Sequence, residues 1–297
     1  MLRSTQAGSG PVRTRPMRSG THLRQLPRRL LTLGLMSLIA LIFIIPLLWN
    51  ISTSLKPKAH WFTRELQWIP QQLTWANYEK IFGDPGTPIA RWFANSVWVA
   101  SIHTVVILAL DSLAAYAYGR LEFPGRKKLY AMLLSTMFLP GILFLVPNFV
   151  AINRLGLLND YAGVLLPGFS GVFGIFFMRQ FYESIPKDLE EAALIDGAST
   201  FQVFGKVVLP LSKPALATLG IILFLGSWND FLWPLLVLKD RAMQTLQPGL
   251  RTLQGAYTME YGSMLAGAMI VAVPVLILYV FLQRFIVQSV TVTGLKG

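Results

Sequence analysis

The chain has 297 residues, of which 54% are hydrophobic and only 13% are charged. With a mean hydropathy of +0.53, this composition excludes an ordinary soluble domain and indicates a polytopic membrane protein. The formal charge is +12 and cysteine is absent, which excludes disulfides, thiolate metal sites and cysteine nucleophiles.

The first 29 residues form a strongly basic segment. It holds seven arginines and no acidic residue before the first apolar stretch. Positive residues beside a membrane span favour the cytoplasmic side and attract anionic lipid headgroups. We therefore interpret residues 1–29 as a disordered cytoplasmic tail that lies beside lipid, and not as a nucleic-acid-binding segment.

Six apolar stretches are long enough to cross a bilayer, which requires about 20 helical residues. They cover approximately residues 30–50, 92–118, 128–150, 161–182, 211–238 and 263–287. The first is too long for the apolar part of a signal peptide and no cleavage site follows, so we expect it to remain as an anchor. The sequence thus predicts an all-α membrane domain with six transmembrane helices over residues 30–287, followed by a short cytoplasmic tail, 288–297.

The orientation of the spans follows from the positive charges on the two sides. Alternate connections place 17 Lys and Arg on one side and 9 on the other. Because the richer side is normally cytoplasmic, both termini and the loop 183–213 are predicted to lie inside. The segments 51–91, 151–160 and 239–262 are then outside.

The cytoplasmic loop 183–213 carries the signals of two short helices. Acidic residues follow Ser184, a candidate N-cap, where the helix dipole favours negative charge. Gly197 can end the first helix in a left-handed cap. Ser199 and Gln202 form a capping-box pattern for the second helix. We expect two helices joined at the glycine, with small residues that let a partner approach the backbone closely.

A spaced set of acidic, small and proline residues marks this loop. It consists of Glu191, Ala192, Ala193, Asp196, Gly197, Leu209 and Pro210. At these spacings, and between the fourth and fifth spans, the set resembles the coupling motif of binding-protein-dependent ABC importer permeases. The resemblance implies a type I importer permease architecture. It also implies that the first loop helix fits a groove on an ATP-binding subunit, where Glu191 pairs with a basic residue.

Two further segments resemble the sugar-importing branch of that family. Residues 227–231, Ser-Trp-Asn-Asp-Phe, are similar to a stretch common in sugar-importer permeases. The end of the chain, from Ser289, resembles the maltose-type permease with short external loops. In that family the tail reaches between the two ATPase subunits, which implies a second contact with these subunits. The alternative is that the tail is a frayed terminus without such a contact. The residues concerned are Gly294, Leu295, Lys296 and Gly297.

Asp111 and Asp230 are the only acidic residues within the predicted spans, where a charge needs a partner or water. Counting along the helices separates their depths by about 13 Å, so we do not expect a carboxylate pair. Asp111 lies among small residues and is interpreted as a link between helices or as the cap of a helix kink. Asp230 has two interpretations, an interhelical link or part of a solute path. The candidate solute path comprises Trp228, Asn229, Asp230 and Trp233.

Nothing in the sequence indicates an enzyme. His60 and His103 have no partners at metal-ligand spacing, and the phosphate-binding loop of P-loop ATPases is absent from the sequence. We therefore expect no metal, cofactor or nucleic acid on this chain, and expect ATP and Mg²⁺ to be held by partner subunits.

The resemblance also implies the function and the remaining partners. It predicts a permease subunit that imports a sugar or related carbohydrate across a bacterial or archaeal cytoplasmic membrane. Its partners would be a second homologous permease, two ATP-binding subunits and an extracytoplasmic solute-binding protein. Two other classes stay open, namely an ion-gradient-driven secondary transporter that uses Asp111 and Asp230, and a membrane scaffold that only anchors an ATPase.

The charge asymmetry predicts the side from which single cysteines react. Ser4→Cys and Gly297→Cys should react with a membrane-impermeant maleimide only from the cytoplasmic side, and Gln71→Cys only from outside, because the chain has no cysteine of its own. Labelling of intact cells and of inverted vesicles measures this. Reaction of Ser4→Cys and Gln71→Cys from the same side would contradict the six-span arrangement.

Overall fold

A computed structural model describes residues 21–61, 67–256 and 261–294, and every regular element in these ranges is helical. The chain forms two compact units, residues 1–49 and residues 50–297. The prediction of an all-α protein is therefore confirmed.

The helices are numbered in chain order. Their bounds are α1 Thr21–Ser54, α2 Ala76–Gly83, α3 Ile89–Arg120, α4 Arg126–Ser135, α5 Leu145–Arg154, α6 Tyr161–Leu165, α7 Phe173–Ser184, α8 Asp188–Ile195, α9 Thr200–Val203, α10 Leu209–Leu211, α11 Lys213–Trp228, α12 Leu232–Val237, α13 Leu246–Ala256 and α14 Tyr261–Gly294. A π-helical turn, Phe204–Val208, joins α9 to α10.

The first unit is described from Thr21 and consists there of the greater part of α1. Its side chains are exposed at every position from Leu30 to Ile45. The exposed fraction reaches 75% at Leu31 and 74% at Phe43. A helix that is apolar on all sides is stable in lipid or against other apolar helices, as expected of a membrane span.

Three helices in the described ranges are long and apolar enough to cross a membrane as single rods. They are Arg29–Ser54 within α1, the whole of α3, and Tyr261–Phe281 within α14. These helices correspond to the first, second and sixth predicted stretches.

The third, fourth and fifth predicted stretches are broken, which corrects the prediction of one continuous helix for each. The third and fourth form bent pairs, with angles of 94° for Arg126–Phe138 and Gly141–Arg154 and 47° for Tyr161–Phe169 and Phe173–Ser184. The fifth is interrupted between α11, which ends at Trp228, and α12, which begins at Leu232. A further bend of 78° separates the loop segment Thr200–Leu211 from Lys213–Trp228. Pro140 and Gly171 adopt extended conformations at the first two breaks. Up to six crossings result if each bent pair is one span.

Within the unit 50–297, α3 is the central helix and packs along α7 and α11. Small residues allow the close approach to α7. A Cβ atom added at Gly174 would lie 1.8 Å from Oδ2 of Asp111, and one added at Gly168 would lie 2.2 Å from Nε2 of His103. Asp111 is thereby buried in the interface between α3 and α7, with 2% of its surface exposed.

The start of α3 is packed against α13 and the loop that precedes it. The Trp92 indole is fully buried, and a Cβ atom added at Gly249 would lie 2.4 Å from its ring. Trp92 Nε1 donates a hydrogen bond of 2.6 Å to the Arg241 carbonyl. Asn95 donates to the carbonyls of Ala242 and Gln244. These contacts fix the loop 239–245 to the beginning of the second span.

Candidate functional site

The loop 183–213 folds into the two predicted helices, α8 and the segment 200–211, joined at Gly197. Gly197 has a φ of +85°, the left-handed conformation that glycine adopts without strain. Its N–H donates to the Leu194 carbonyl, and the Ala198 N–H donates to the Ala193 carbonyl, both at 3.0 Å. This pair of bonds is a Schellman motif, so the predicted left-handed cap is confirmed.

The capping box at the start of the second loop helix is also confirmed. Ser199 Oγ accepts from the Gln202 N–H at 3.4 Å, and Gln202 Oε1 accepts from the Ser199 N–H at 2.8 Å. The predicted N-cap at Ser184 is wrong. Ser184 is the last residue of α7, where its hydroxyl donates to the Phe181 carbonyl, and α8 begins only at Asp188.

One face of the loop is buried and anchors it. Val203, Phe204 and Val208 of the second loop helix are packed in a core cluster with Met178 and Tyr182 of α7. Ala193 and Leu209 from the coupling motif pack against the same cluster. The buried side chains hold both loop helices against the membrane domain.

The opposite face presents an exposed surface that combines apolar, small and acidic residues. We call Glu191, Ala192, Leu194, Ile195 and Phe201 the docking surface; all five are exposed. The exposed fraction is 86% for Ile195 and 74% for Phe201. Large apolar side chains exposed together in this way are typical of an interaction site.

The other residues of the coupling motif surround the docking surface. Asp196 is the exposed C-cap residue of α8, and Gly197 follows it. Pro210 is exposed within α10. The structure thus brings the seven motif residues into one loop, with five exposed and Ala193 and Leu209 half-buried.

Glu190 is a further residue of this loop, which sequence reasoning missed. Its side chain is buried, and its Oε1 lies 2.7 Å from Nε of Arg120, the last residue of α3. Consecutive residues of a helix point about 100° apart, so Glu190 and Glu191 cannot face the same side. That spacing is the only signal in the sequence for Glu190, and nothing local identifies Arg120 as its partner.

Part of the predicted tail contact lies outside the described residues. Gly294 is the final residue of α14, whereas Leu295, Lys296 and Gly297 are not among the residues that the structure describes.

The structure separates the four residues of the candidate solute path. Trp228 is buried, with its indole 5.6 Å from the ring centroid of Phe93 and 6.0 Å from that of Phe224. Asn229 is exposed, and its Nδ2 donates to the Leu225 carbonyl. Asp230 Oδ1 accepts from the Trp233 N–H at 3.4 Å, next to the first turn of α12.

Asp230 and Trp233 border a cavity of about 290 Å³ inside the membrane domain. Its polar lining comes from four helical segments and includes His103, Asn148 and Ser227. Trp233 Nε1 donates to the carbonyls of residues 163 and 164 at 3.2 Å, which fixes the indole in the wall. Asn148 was not identified from the sequence, because it lies alone in an apolar stretch. Among the described residues, no three His, Asp or Glu side chains come together in a way that could hold a metal ion.

A family model described as "Binding-protein-dependent transport system inner membrane component" matches residues 25–292. The chain belongs to this family of ABC importer permeases. It is an inner-membrane permease subunit, and ATP hydrolysis is carried by partner subunits. The ion-driven transporter and the scaffold are thereby set aside.

Relatives with curated names match over nearly their whole length. The arabinooligosaccharides transport system permease protein AraQ of Halalkalibacterium halodurans is 38% identical over 90% of this chain and 96% of its own. The trehalose transport system permease protein SugB of Mycobacterium tuberculosis is 36% identical over 86% and 93%. A subunit of a bacterial ABC transporter that imports the acidic polysaccharide alginate has a similar crystal structure. The TM-score is 0.75 and the identity 27%, over 88% of this chain and 97% of that one.

Replacing Gly197 by valine tests the loop geometry. A β-branched residue at a φ of +85° is strained by about 1–2 kcal/mol, and an added Cβ atom would have no atom within 4 Å apart from its chain neighbours. We expect a roughly tenfold loss of transport with complex assembly retained, since this strain equals about one decade in an equilibrium. Uptake and ATPase assays on the purified complex measure the effect.

Gly205→Val is the matched control. Gly205 lies in the same loop, is exposed and has equally open surroundings, but its φ is not positive. It should transport as the parent chain does. Equal transport by both variants would show that the left-handed cap does not matter for coupling.

Proposed function

We propose that this chain is a permease subunit for the import of an oligosaccharide or related carbohydrate. The observation that carries the proposal is the near-complete alignment, at 38% and 36% identity, with permeases named for arabinooligosaccharides and trehalose. The similar alginate transporter adds a third carbohydrate. These cargoes differ in size and charge but share dense hydroxyl groups, so the proposal extends to the class and not to one sugar.

The docking surface is the proposed contact with the ATP-binding subunit. Its supporting features are the 86% exposure of Ile195, the small Ala192 beside it, and an exposed carboxylate at Glu191. An eight-residue helix with this surface fits a shallow groove, where Glu191 pairs with a basic side chain of the motor. Closure of the ATPase dimer then pushes α8 and reorients the membrane helices.

The remaining assembly follows the family pattern. The proposed complex contains a second, homologous permease, two ATP-binding subunits and an extracytoplasmic solute-binding protein. ATP and Mg²⁺ are bound by the ATP-binding subunits, and this chain holds no cofactor. Both termini are cytoplasmic, and the C-terminal residues 294–297 form a second contact with the motor.

The proposed solute contact differs from the four residues suggested by the sequence, since it keeps Asn229 and Asp230 and adds neighbouring side chains. Asn229 is exposed, and its Oδ1 lies 3.4 Å from Nε2 of Gln247 on α13. Phe231 lies beneath the Arg251 guanidinium, with 5.9 Å between the cation and the ring centroid. Amide, aromatic and guanidinium groups are suited to sugar hydroxyls and ring faces. The buried packing of Trp228 instead supports a structural role for that residue.

Reconstitution of the full complex with its binding protein tests the proposed function. Uptake of a labelled sugar into proteoliposomes should require both ATP and the binding protein, and should survive ionophores that collapse ion gradients. A panel of arabinotriose, trehalose, maltotriose and an alginate trisaccharide would identify the preferred sugar. Uptake driven by an imposed ion gradient without ATP, or stimulation of the ATPase only by amino acids or peptides, would contradict the proposal.

Asp230→Asn distinguishes the two interpretations of the intramembrane acid. Asparagine keeps the shape and can still accept the hydrogen bond from Trp233, so the yield and thermal stability of the complex should not change. Loss of the charge beside the cavity should alter the relative uptake rates of the sugars in the panel.

Asp160→Asn is the control for this change. Asp160 caps α6 through the Ala162 N–H at 2.7 Å, and it does not line the cavity. It should leave every uptake rate unchanged. Lower yield together with equally reduced uptake of all sugars in Asp230→Asn would assign Asp230 to helix packing alone.

A further inference from the structure

Arg120 is the last residue of α3, and its guanidinium contacts both α8 and the end of α7. Its Nε lies 2.7 Å from Glu190 Oε1 of α8. One terminal nitrogen donates bonds of 2.6 Å to the carbonyls of Tyr182 and Ile185, at the end of α7. A single side chain thus contacts both α8, which we call the docking helix because it carries most of the docking surface, and α7.

This contact is buried and electrostatically specific. The side chains of Arg120 and Glu190 are only 5% and 10% exposed. The approach to Glu190 is a close charge pair whose angle departs from that of a hydrogen bond. The terminal carbonyls of a helix lack partners within the helix and favour a cation, so Arg120 also satisfies the end of α7. Lysine cannot make these contacts together, because it lacks the planar fork of donors.

Aromatic residues extend the cluster around the charge pair. Tyr116, one turn before Arg120, interacts electrostatically with both Glu190 and Arg120. Its ring centroid is 5.0 Å from that of Phe204 in the second loop helix, and 6.3 Å from that of Tyr182. The cluster therefore connects α3 with α7 and with both loop helices.

Two covalent routes lead from α8 to the membrane domain. One runs back through residues 185–187 to α7, whose last carbonyls Arg120 also binds. The other, toward α11, is less direct. It runs through a π-helical turn, Phe204–Val208, and then through a bend of 78° before α11. Irregular turns and bends often mark hinges and kinks in helices. A displacement of α8 therefore has a shorter path to α3 through Arg120 and the end of α7 than through this irregular route.

We propose that the Arg120–Glu190 pair is the link that transmits motion of the docking helix to the central helix α3. This role rests on the proposed docking of α8 on the ATP-binding subunit. The two adjacent glutamates then have different roles. Glu191 contacts the ATP-binding subunit, and Glu190 binds the same helix to Arg120 of α3. Arg120 and Glu190 are positioning residues, since neither contacts solute nor nucleotide.

The ratio of sugar transported to ATP hydrolysed tests the link. In the full complex, Glu190→Gln and Arg120→Lys should still assemble and hydrolyse ATP in response to loaded binding protein. Transport per ATP should fall about 3- to 30-fold, the range typical of a lost coupling contact. Glu190→Asp keeps the charge and should recover part of the loss. Glu183→Gln is the control, because Glu183 pairs with Arg179 at the surface of the same region.

A cross-link at the docking surface separates failure of the link from failure of docking. Ala192→Cys, with a cysteine in the groove of the ATP-binding subunit, should form a disulfide in the parent complex and in both link variants. No cross-link in the parent complex would reject the proposed docking itself. If the cross-link forms and the transport ratio of Glu190→Gln and Arg120→Lys equals that of the parent, the transmission role is overturned. Loss of assembly in these variants would also overturn it, and would make the pair a folding element.

Discussion

The close packing of α3 against α7 is the constraint on which the rest of the membrane domain depends. Gly174 of α7 leaves room for the Asp111 side chain of α3, and Gly168 in the turn before α7 leaves room for His103, so this segment approaches α3 more closely than larger residues would permit. This approach places the end of α7 beside Arg120. Because α7 ends at Ser184 and α8 begins only four residues later, the packing of α7 against α3 sets the position of the docking helix.

The docking helix α8 is stabilised by the residues that cap it and by the core beneath it. An isolated helix of eight residues is not stable in water, because the free-energy cost of nucleating it exceeds the stabilisation that so few hydrogen bonds provide. Here the Schellman motif at Gly197 ends α8 and the capping box at Ser199 begins the next helix. The core beneath them holds Val203 and Val208. The loop therefore presents a preformed surface, which lowers the ordering cost of binding a partner.

The broken spans bring irregular backbone to the cavity wall. The breaks near Gly141, Pro167 and Asp230 all contribute to the cavity of about 290 Å³. Within a bilayer, non-helical backbone is tolerated where it is buried in protein or lines a polar space. The same breaks divide the third, fourth and fifth apolar stretches into shorter helical segments. The proposed solute contact at Asp230 thus lies at one of these departures from regular helix.

The sequence by itself determined the class, the apolar stretches and the loop signals. Composition indicated a membrane protein, capping signals predicted the two loop helices, and the resemblance of the residues from Glu191 to Pro210 to a known coupling motif indicated the family. These features depend on local chemistry, such as the need for positive φ at Gly197 or the partners of backbone N–H groups at Ser199. The tertiary structure decided that Trp228 is packed in the core, and that Glu190 is buried while its neighbour Glu191 is exposed. It alone paired Glu190 with Arg120, 70 residues earlier in the chain, because long-range contacts depend on how helices pack and leave no local signature.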